Sequence, residues 1–155
     1  SLDTQAMSSR VRVFGIGSPH GDDQAGWHVA HILQERTAVP ATVVRHPLDL
    51  CDVISGCRHA VIVDSCVRGG EVGSVVGLNW PDDRIASKSR GSTHGVDVDF
   101  ALRLAEQLGN FPEEITLLLI EIAACDPGGK CSSAIVAAAS NLADQIQCQW
   151  QRADE

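Results

Sequence analysis

The fold is decided by residues 11–36, which read VRVFGIGSPHGDDQAGWHVAHILQER. Residues 11–16 are a short β-rich run that ends at glycines, which predicts a buried first strand. Residues 24–36 carry apolar side chains at helical spacing, which predicts an amphipathic helix. These side chains are Ala25, Val29, Ile32 and Leu33. A buried strand, a glycine-containing loop and a helix in this order predict one unit of an α/β sheet.

The remainder of the chain continues this alternation. Further strands are predicted at residues 41–45, 60–63, 72–78 and 115–122, and further helices at 48–55, 96–108 and 133–147. The strand at 60–63 (AVIV) is apolar without alternation, as in strands that are buried on both faces. The helix at 96–108 is indicated by an apolar line, which consists of Val96, Phe100, Leu104 and Leu108. This order predicts an α/β fold, in which helices cover both faces of a mostly parallel, mixed five-stranded sheet.

Length and composition bound the class of protein. A chain of 155 residues suits one domain; we expect residues 11–150 to form it and the polar residues 1–10 to be a flexible leader. Apolar residues make up 44% of the chain, which is enough for a buried core. No run approaches the roughly 18 apolar residues of a membrane span, and the leader lacks the apolar centre of a secretory signal. We therefore expect a cytoplasmic protein.

The formal net charge of the chain is −8. An acidic surface repels phosphate backbones and anionic lipids, so nucleic acid and membranes are not expected partners. The negative net charge instead favours a metal cation or a basic protein segment as the partner. The six cysteines include no C-x-x-C pair. We expect them to be small core residues or idle thiols, with a thiol site as the alternative.

The loop after the first strand carries the first candidate site. It begins Gly15-Ile16-Gly17 and contains Asp22 and Asp23. A strand followed by G-x-G is typical of dinucleotide-binding folds, but the third glycine of that motif is out of place. Two carboxylates also stand where a pyrophosphate would bind, so a nucleotide-binding module is the weaker hypothesis. Two interpretations of the acidic pair remain open: they cap the following helix, or one of them binds a metal.

Two more candidate residues follow later strands or loops. Asp64 ends the buried run AVIVD, and an acid there is held rigidly at the mouth of the ligand crevice, unless it only bonds turn amides. His94 precedes the helix at 96–108, with Ser92 or Thr93 as the expected N-cap. The helix dipole is expected to keep the imidazole neutral, as metal binding requires, although it could be a lone surface histidine. Of the other histidines, only His20 lies near the first loop.

Asp23, Asp64 and His94 are all predicted at one edge of the sheet, where the parallel strands end. Two carboxylates and one imidazole suit Zn, Ni, Mn or Fe and leave coordination positions open for a substrate. A serine nucleophile is less favoured because the chain has no G-x-S-x-G elbow.

Taken in order, these motifs resemble the hydrogenase maturation proteases, the endopeptidases that trim the large subunit of nickel–iron hydrogenases. The resemblance covers residues 11–146. It rests on the glycine loop with its two aspartates, on VIVD at 61–64 and on STHG at 92–95. A proline after the next helix, Pro112, and the strand at 115–122 follow in the expected order.

The resemblance implies a three-layer α/β/α sandwich and an aspartic-type endopeptidase that recognises nickel in the precursor of the large subunit and removes its C-terminal extension. Carried over residue by residue, Asp23, Asp64 and His94 are both the metal-binding and the catalytic set, with Asp22 as the alternative to Asp23. The nickel is carried by the substrate, so the isolated protein, expected to be a monomer, need hold no metal. The nucleophile would be a water that either the metal polarises or a carboxylate holds.

The chain departs from the family pattern in four places. Ser18 stands where asparagine is usual, the first loop is one residue shorter than usual, and residues 121–129 match the usual form only loosely. Residues 45–49 (RHPLD) replace a glycine-rich segment that bears on precursor recognition in the family. This last departure motivates an alternative hypothesis, a non-proteolytic accessory protein of the same fold that binds a metal or the precursor without cutting it.

Overall fold

The computed structural model describes residues 10–87, 91–123 and 127–151 of the chain. Its five strands are β1 (Val11–Ile16), β2 (Ala41–Val44), β3 (His59–Cys66), β4 (Val75–Asn79) and β5 (Glu114–Glu121). Its α-helices are α1 (Ala25–Arg36), α2 (Leu50–Val53), α3 (Gly95–Leu108) and α4 (Ser133–Ile146). Short 3-10 turns at Gly21–Gln24 and Pro47–Asp49 precede α1 and α2, and a π-helical turn, Gln147–Gln151, follows α4.

The strands form one sheet in the order β2-β1-β3-β5-β4. The pairs between β1, β2, β3 and β5 are parallel, and the edge strand β4 runs antiparallel to β5. The predicted five-stranded, mostly parallel mixed sheet is therefore confirmed. The carboxyl ends of β1 and β3 lie side by side, since Gly15 pairs with Val63 in the register of these strands.

Apolar side chains pack on both faces of the sheet, which confirms the predicted three-layer α/β/α sandwich. On one face, α1 and α4 cover Val61 and Val63 of β3. On the other face, α2 and α3 cover Ala60 and Ile62 of the same strand. This division is the reason why the run AVIV is apolar at every position: each residue enters one of two cores.

Two glycines bring α1 unusually close to the sheet. A Cβ atom added to Gly15 would lie 2.1 Å from the carbonyl oxygen of Gly26. One added to Gly26 would lie 2.1 Å from the carbonyl oxygen of Ile16 and 2.7 Å from that of Val63. The backbone at the start of α1 is therefore in direct contact with the backbone of β1 and β3. Gly15 in β1 and Gly26 in α1 serve this close approach of helix and strands, which only residues without a side chain permit.

Several elements differ from the sequence-based prediction, and β3 continues to Cys66 instead of ending at residue 63. β4 begins at Val75 instead of residue 72, because Gly73 adopts a positive φ of 92° in a turn. The helix predicted at 48–55 is a 3-10 turn followed by one turn of α-helix. In α3, the apolar line seen in the sequence is exposed, and a different set of residues enters the core: Val98, Ala101, Leu102 and Ala105.

Some expectations concern residues outside those that the structure describes, namely the leader at 1–9 and Cys125. Cys57 and Cys66 are buried, as expected of small core residues. Burial raises the pKa of the Cys66 thiol to about 11, with Glu121 contributing, which keeps it protonated at neutral pH. In the part of the chain that the structure describes, no helix is long and apolar enough to cross a membrane.

Replacing Gly26 with alanine is expected to lower the free energy of unfolding by about 2–3 kcal/mol, because the new methyl group meets backbone oxygens that cannot rotate away. Urea unfolding followed by circular dichroism measures this change. The matched control is Gly77→Ala in β4, where the nearest atom is the Cδ2 of Leu118 at 3.6 Å. This control should stay within about 1 kcal/mol of the wild type. Equal stability of the two variants would contradict the close packing of α1 on the sheet.

Candidate active site

The carboxyl edge of the sheet brings together Asp23, Asp64 and His94. Asp23 lies in the 3-10 turn between β1 and α1, Asp64 lies near the end of β3, and His94 is the residue before α3. One carboxylate oxygen of each aspartate and one ring nitrogen of the histidine lie within 4.8 Å of one another. The predicted proximity of these residues is thus found in the structure.

The imidazole of His94 is placed between the two carboxylates. Its Nδ1 atom lies 3.0 Å from both Oδ1 and Oδ2 of Asp64, and its Nε2 atom lies 3.5 Å from Oδ2 of Asp23. Asp64 is fully buried and Asp23 is 9% exposed. An imidazole that faces a carboxylate with each nitrogen can donate from both only when it is protonated.

The electrostatics of this cluster correct the prediction of a neutral His94. Burial alone would lower the pKa of His94, but the hydrogen bond and charge of Asp64, with the charges of Asp23 and Asp97, raise it from 6.5 to about 8. Burial also raises the pKa of Asp64, against the opposing effect of His94. The helix dipole contributes only about 0.3–1 kcal/mol, less than a hydrogen bond to a buried carboxylate. At neutral pH the metal-free cluster therefore contains an imidazolium.

Three hydroxyl groups hold the carboxylates in place. Ser18 Oγ donates to Asp23 Oδ2 and Ser65 Oγ donates to Asp23 Oδ1, each over 2.6 Å. Thr93 Oγ1 lies 3.2 Å from Asp23 Oδ1 and 3.4 Å from Asp64 Oδ1. Thr93 is therefore part of the cluster rather than the predicted helix cap, since His94 occupies the N-cap position of α3 without a side-chain cap. Sequence reasoning missed Ser65, whose only signal is its place next to Asp64.

Asp22 has different contacts from Asp23 and lies outside the cluster. Its carboxylate accepts hydrogen bonds from the backbone N–H of Ser132 (2.7 Å) and from the Ser132 hydroxyl (3.1 Å). His20 Nδ1 accepts a bond from the N–H of Gly128. Both residues tie the first loop to the segment that leads into α4. The interpretation that the acidic pair caps its own helix is wrong, because no side chain caps either the 3-10 turn or α1.

The loop that carries His94 is fixed by close backbone contacts. A Cβ on Gly91 or Gly95 would lie 2.1 or 1.8 Å from the carbonyl oxygen of Ile85. The N–H of Thr93 donates to the carbonyl oxygen of Ser65, 2.8 Å away. This loop is thereby attached to the end of β3, where Asp64 lies.

A cavity of about 300 Å³ opens beside His94. Its lining includes Val67, Ser92, Val96 and Asp97. His94 is therefore reached from solvent on the side of α3, and a ligand or a peptide segment has room next to the imidazole.

Two carboxylate oxygens and one imidazole nitrogen are a donor set that fits a divalent transition metal such as nickel or zinc. A metal needs the imidazole without its proton, so a cation at this position would displace the proton of His94. The positive charge of the metal would then replace that of the imidazolium in compensating the buried Asp64 carboxylate.

Replacing Asp64 with asparagine should lower the pKa of His94 in the metal-free protein from about 8 to roughly 6.5 or below, because the opposing effect of burial remains. The titration of the imidazole ring, followed by NMR and assigned with a His94→Gln protein, measures this value. The control is Asp22→Asn, the same change at an aspartate whose carboxylate contacts Ser132, which leaves the hydrogen bonds of His94 intact. An unchanged pKa in the Asp64→Asn protein would contradict the geometry described above.

Comparisons with known proteins show which family this chain is similar to. A family model, HycI, described as hydrogenase maturation protease, matches residues 28–149. The match includes Asp64 and His94 and begins five residues after Asp23. A search of curated proteins found no match to the chain.

Solved structures share the fold at low sequence identity. The endopeptidase HybD from E. coli is 18% identical, with a TM-score of 0.74 and 93% of each chain covered. The [NiFe] hydrogenase maturation protease HybD from Thermococcus kodakarensis is 22% identical, with a TM-score of 0.77, over 90% of this chain and 97% of that one. HycI from T. kodakarensis KOD1 is 22% identical, with a TM-score of 0.73, over 97% and 99%. Because the family model matches most of the chain, the protein belongs to the hydrogenase maturation proteases and is a peptidase.

Proposed function

We propose that this peptidase recognises nickel bound in the precursor of a nickel–iron hydrogenase large subunit through Asp23, Asp64 and His94, and then removes the C-terminal extension of the precursor. The observation that carries this proposal is the convergence of two carboxylates and one imidazole within 4.8 Å, at a cavity open to solvent. The family and the names of the structural neighbours support the hydrogenase precursor as the substrate.

The donor set supports nickel as part of the substrate. Carboxylate and imidazole ligands suit borderline divalent metals, and three protein ligands leave further positions for ligands from the precursor itself. The His94 imidazolium stands between the two carboxylates and balances one of their two negative charges, which leaves the cluster with a net charge of about −1. An arriving metal must compete with that proton, which favours a metal presented by a bound precursor over a dilute free ion.

The hydrolysis itself needs a water molecule and a base near the scissile peptide bond. Asp23 is the more accessible of the two carboxylates, and its oxygens are oriented by Ser18 and Ser65. Asp64 is fully buried and, before nickel arrives, holds His94 in place. The water is activated either by the carboxylate or by the substrate's metal, and both routes require the cluster to be intact.

Nickel in the precursor is expected to decide whether cleavage occurs. The purified protein should cut a nickel-loaded large-subunit precursor and leave the nickel-free precursor intact, as measured by mass spectrometry of the released C-terminal peptide. Equal cutting of both precursors would contradict nickel recognition. Tight nickel binding by the protein alone, measured by calorimetry and without any cleavage, would instead favour a non-proteolytic accessory protein.

A pair of variants tests which aspartate belongs to the site. Asp23→Asn should reduce kcat/KM for the nickel-loaded precursor by at least about 100-fold, because a direct ligand matters more than the outer-shell groups whose loss costs 10–100-fold. Asp22→Asn, its neighbour in sequence, contacts Ser132 instead of His94 and should change the value by less than about 10-fold. The reverse order of the two effects would show that the first ligand is Asp22.

A further inference from the structure

The exposed surface of α3 carries an apolar stripe, which we define as Val96, Phe100, Leu104 and Leu108. These side chains are 64%, 59%, 41% and 68% exposed, respectively. Their spacing of four residues places them along one side of the helix over roughly 18 Å, at 1.5 Å per residue. Single exposed apolar residues are ordinary, but an aligned row of them is typical of interaction sites.

The stripe is not needed for folding. The core contacts of α3 are made by other residues of the same helix, among them Val98, Ala101 and Leu102, which are fully buried. The helix thus has two apolar sides, and only one of them is used within the part of the chain that the structure describes.

The stripe is continuous with the active site. Val96, its first residue, lines the same cavity as His94, together with Val67, which is also exposed. His94 is the N-cap residue of the helix that carries the stripe. A protein segment that reaches the imidazole through this cavity therefore lies against Val96, and its parent protein lies over α3.

The charges beside the stripe indicate the character of the partner. α3 carries three acidic residues and one basic residue, and that residue, Arg103, bonds Asp99 at 2.9 Å. Asp97 and Glu106 are exposed on the same helix. With a net charge of −8 for the whole chain, a second copy of this protein would bring like charges to the stripe. A partner protein that presents an apolar surface with basic residues at its margin would complement both the stripe and the acidic residues beside it.

We propose that the apolar stripe of α3 is the docking surface for the hydrogenase large-subunit precursor, which it holds while the segment to be cut occupies the cavity beside His94. The proposal rests on the proposed function for the identity of the partner. It separates two tasks: the stripe provides affinity for the precursor, and the cluster of Asp23, Asp64 and His94 provides the response to nickel.

The test is a double variant, Phe100→Gln with Leu104→Gln, which removes the centre of the stripe and keeps residues that favour helices. Its KM for the nickel-loaded precursor should rise at least about 10-fold, with kcat unchanged, because the affinity of an interface is concentrated in a few central side chains. The control is Val136→Gln on α4, an exposed apolar residue in the opposite helical layer, which should leave both constants unchanged. Circular dichroism and thermal unfolding should match the wild type for both proteins.

A binding experiment separates this proposal from the proposed function. Fluorescence anisotropy with a labelled nickel-free precursor should show binding by the wild type and by Asp64→Asn, and at least about 10-fold weaker binding by the stripe variant. If the wild type binds and the stripe variant binds more weakly, but the wild type never cuts the nickel-loaded precursor, the proposed function fails and the docking surface stands. If the wild type does not bind, or the stripe variant matches it in affinity and KM, the docking proposal is overturned. Sedimentation that shows a wild-type dimer converted to monomer by the variant, with KM unchanged, would also overturn it in favour of a second copy.

Discussion

The contact between the start of α1 and the sheet is the constraint on which the site depends. Gly15 and Gly26 let the helix backbone approach the carbonyl oxygens of Ile16 and Val63 to a distance that no side chain would allow. This contact draws the preceding 3-10 turn, with Asp23, over the end of β3. The Asp23 carboxylate then lies within hydrogen-bond distance of the hydroxyl of Ser65, which is 42 positions away in the chain. A looser packing of α1 would leave the two acidic residues of the site apart.

A second constraint is electrostatic. Asp64 is fully buried at the end of a strand, where an ionised carboxylate is costly unless a positive charge and hydrogen bonds accompany it. His94 supplies that charge in the metal-free protein, and the raised pKa of its imidazole is the consequence. The same arrangement is suited to a metal, because a divalent cation can take over the compensating role once the proton has left. Without a metal, the cluster is held in its geometry by the contacts of His94 and by the hydroxyl groups of Ser18 and Ser65.

Helix α3 connects this chemistry to the surface. One of its sides packs on the sheet through Val98 and Leu102, its N-cap residue belongs to the acidic cluster, and its exposed side carries the apolar stripe. Because a helix is rigid along its length, a protein bound to the stripe is held at a fixed position relative to His94. In our proposals, affinity for the precursor and recognition of its nickel therefore reside on neighbouring parts of one helix.

The sequence by itself determined the order of strands and helices, the mostly parallel sheet and two of the candidate residues, Asp64 and His94, because buried strands and strand-end acids leave local patterns. The sequence could not show which side of α3 is buried against the sheet, since both sides are apolar and only the packing of the helix decides between them. It could not separate Asp22 from Asp23 or find Ser65, because those roles depend on contacts between distant segments. It also predicted a neutral His94 from the local helix dipole, whereas the tertiary structure places two carboxylates around the ring. The charges of the two aspartates, which folding brings to His94, outweigh the effect of the local helix dipole, and they determine the protonation state of the imidazole.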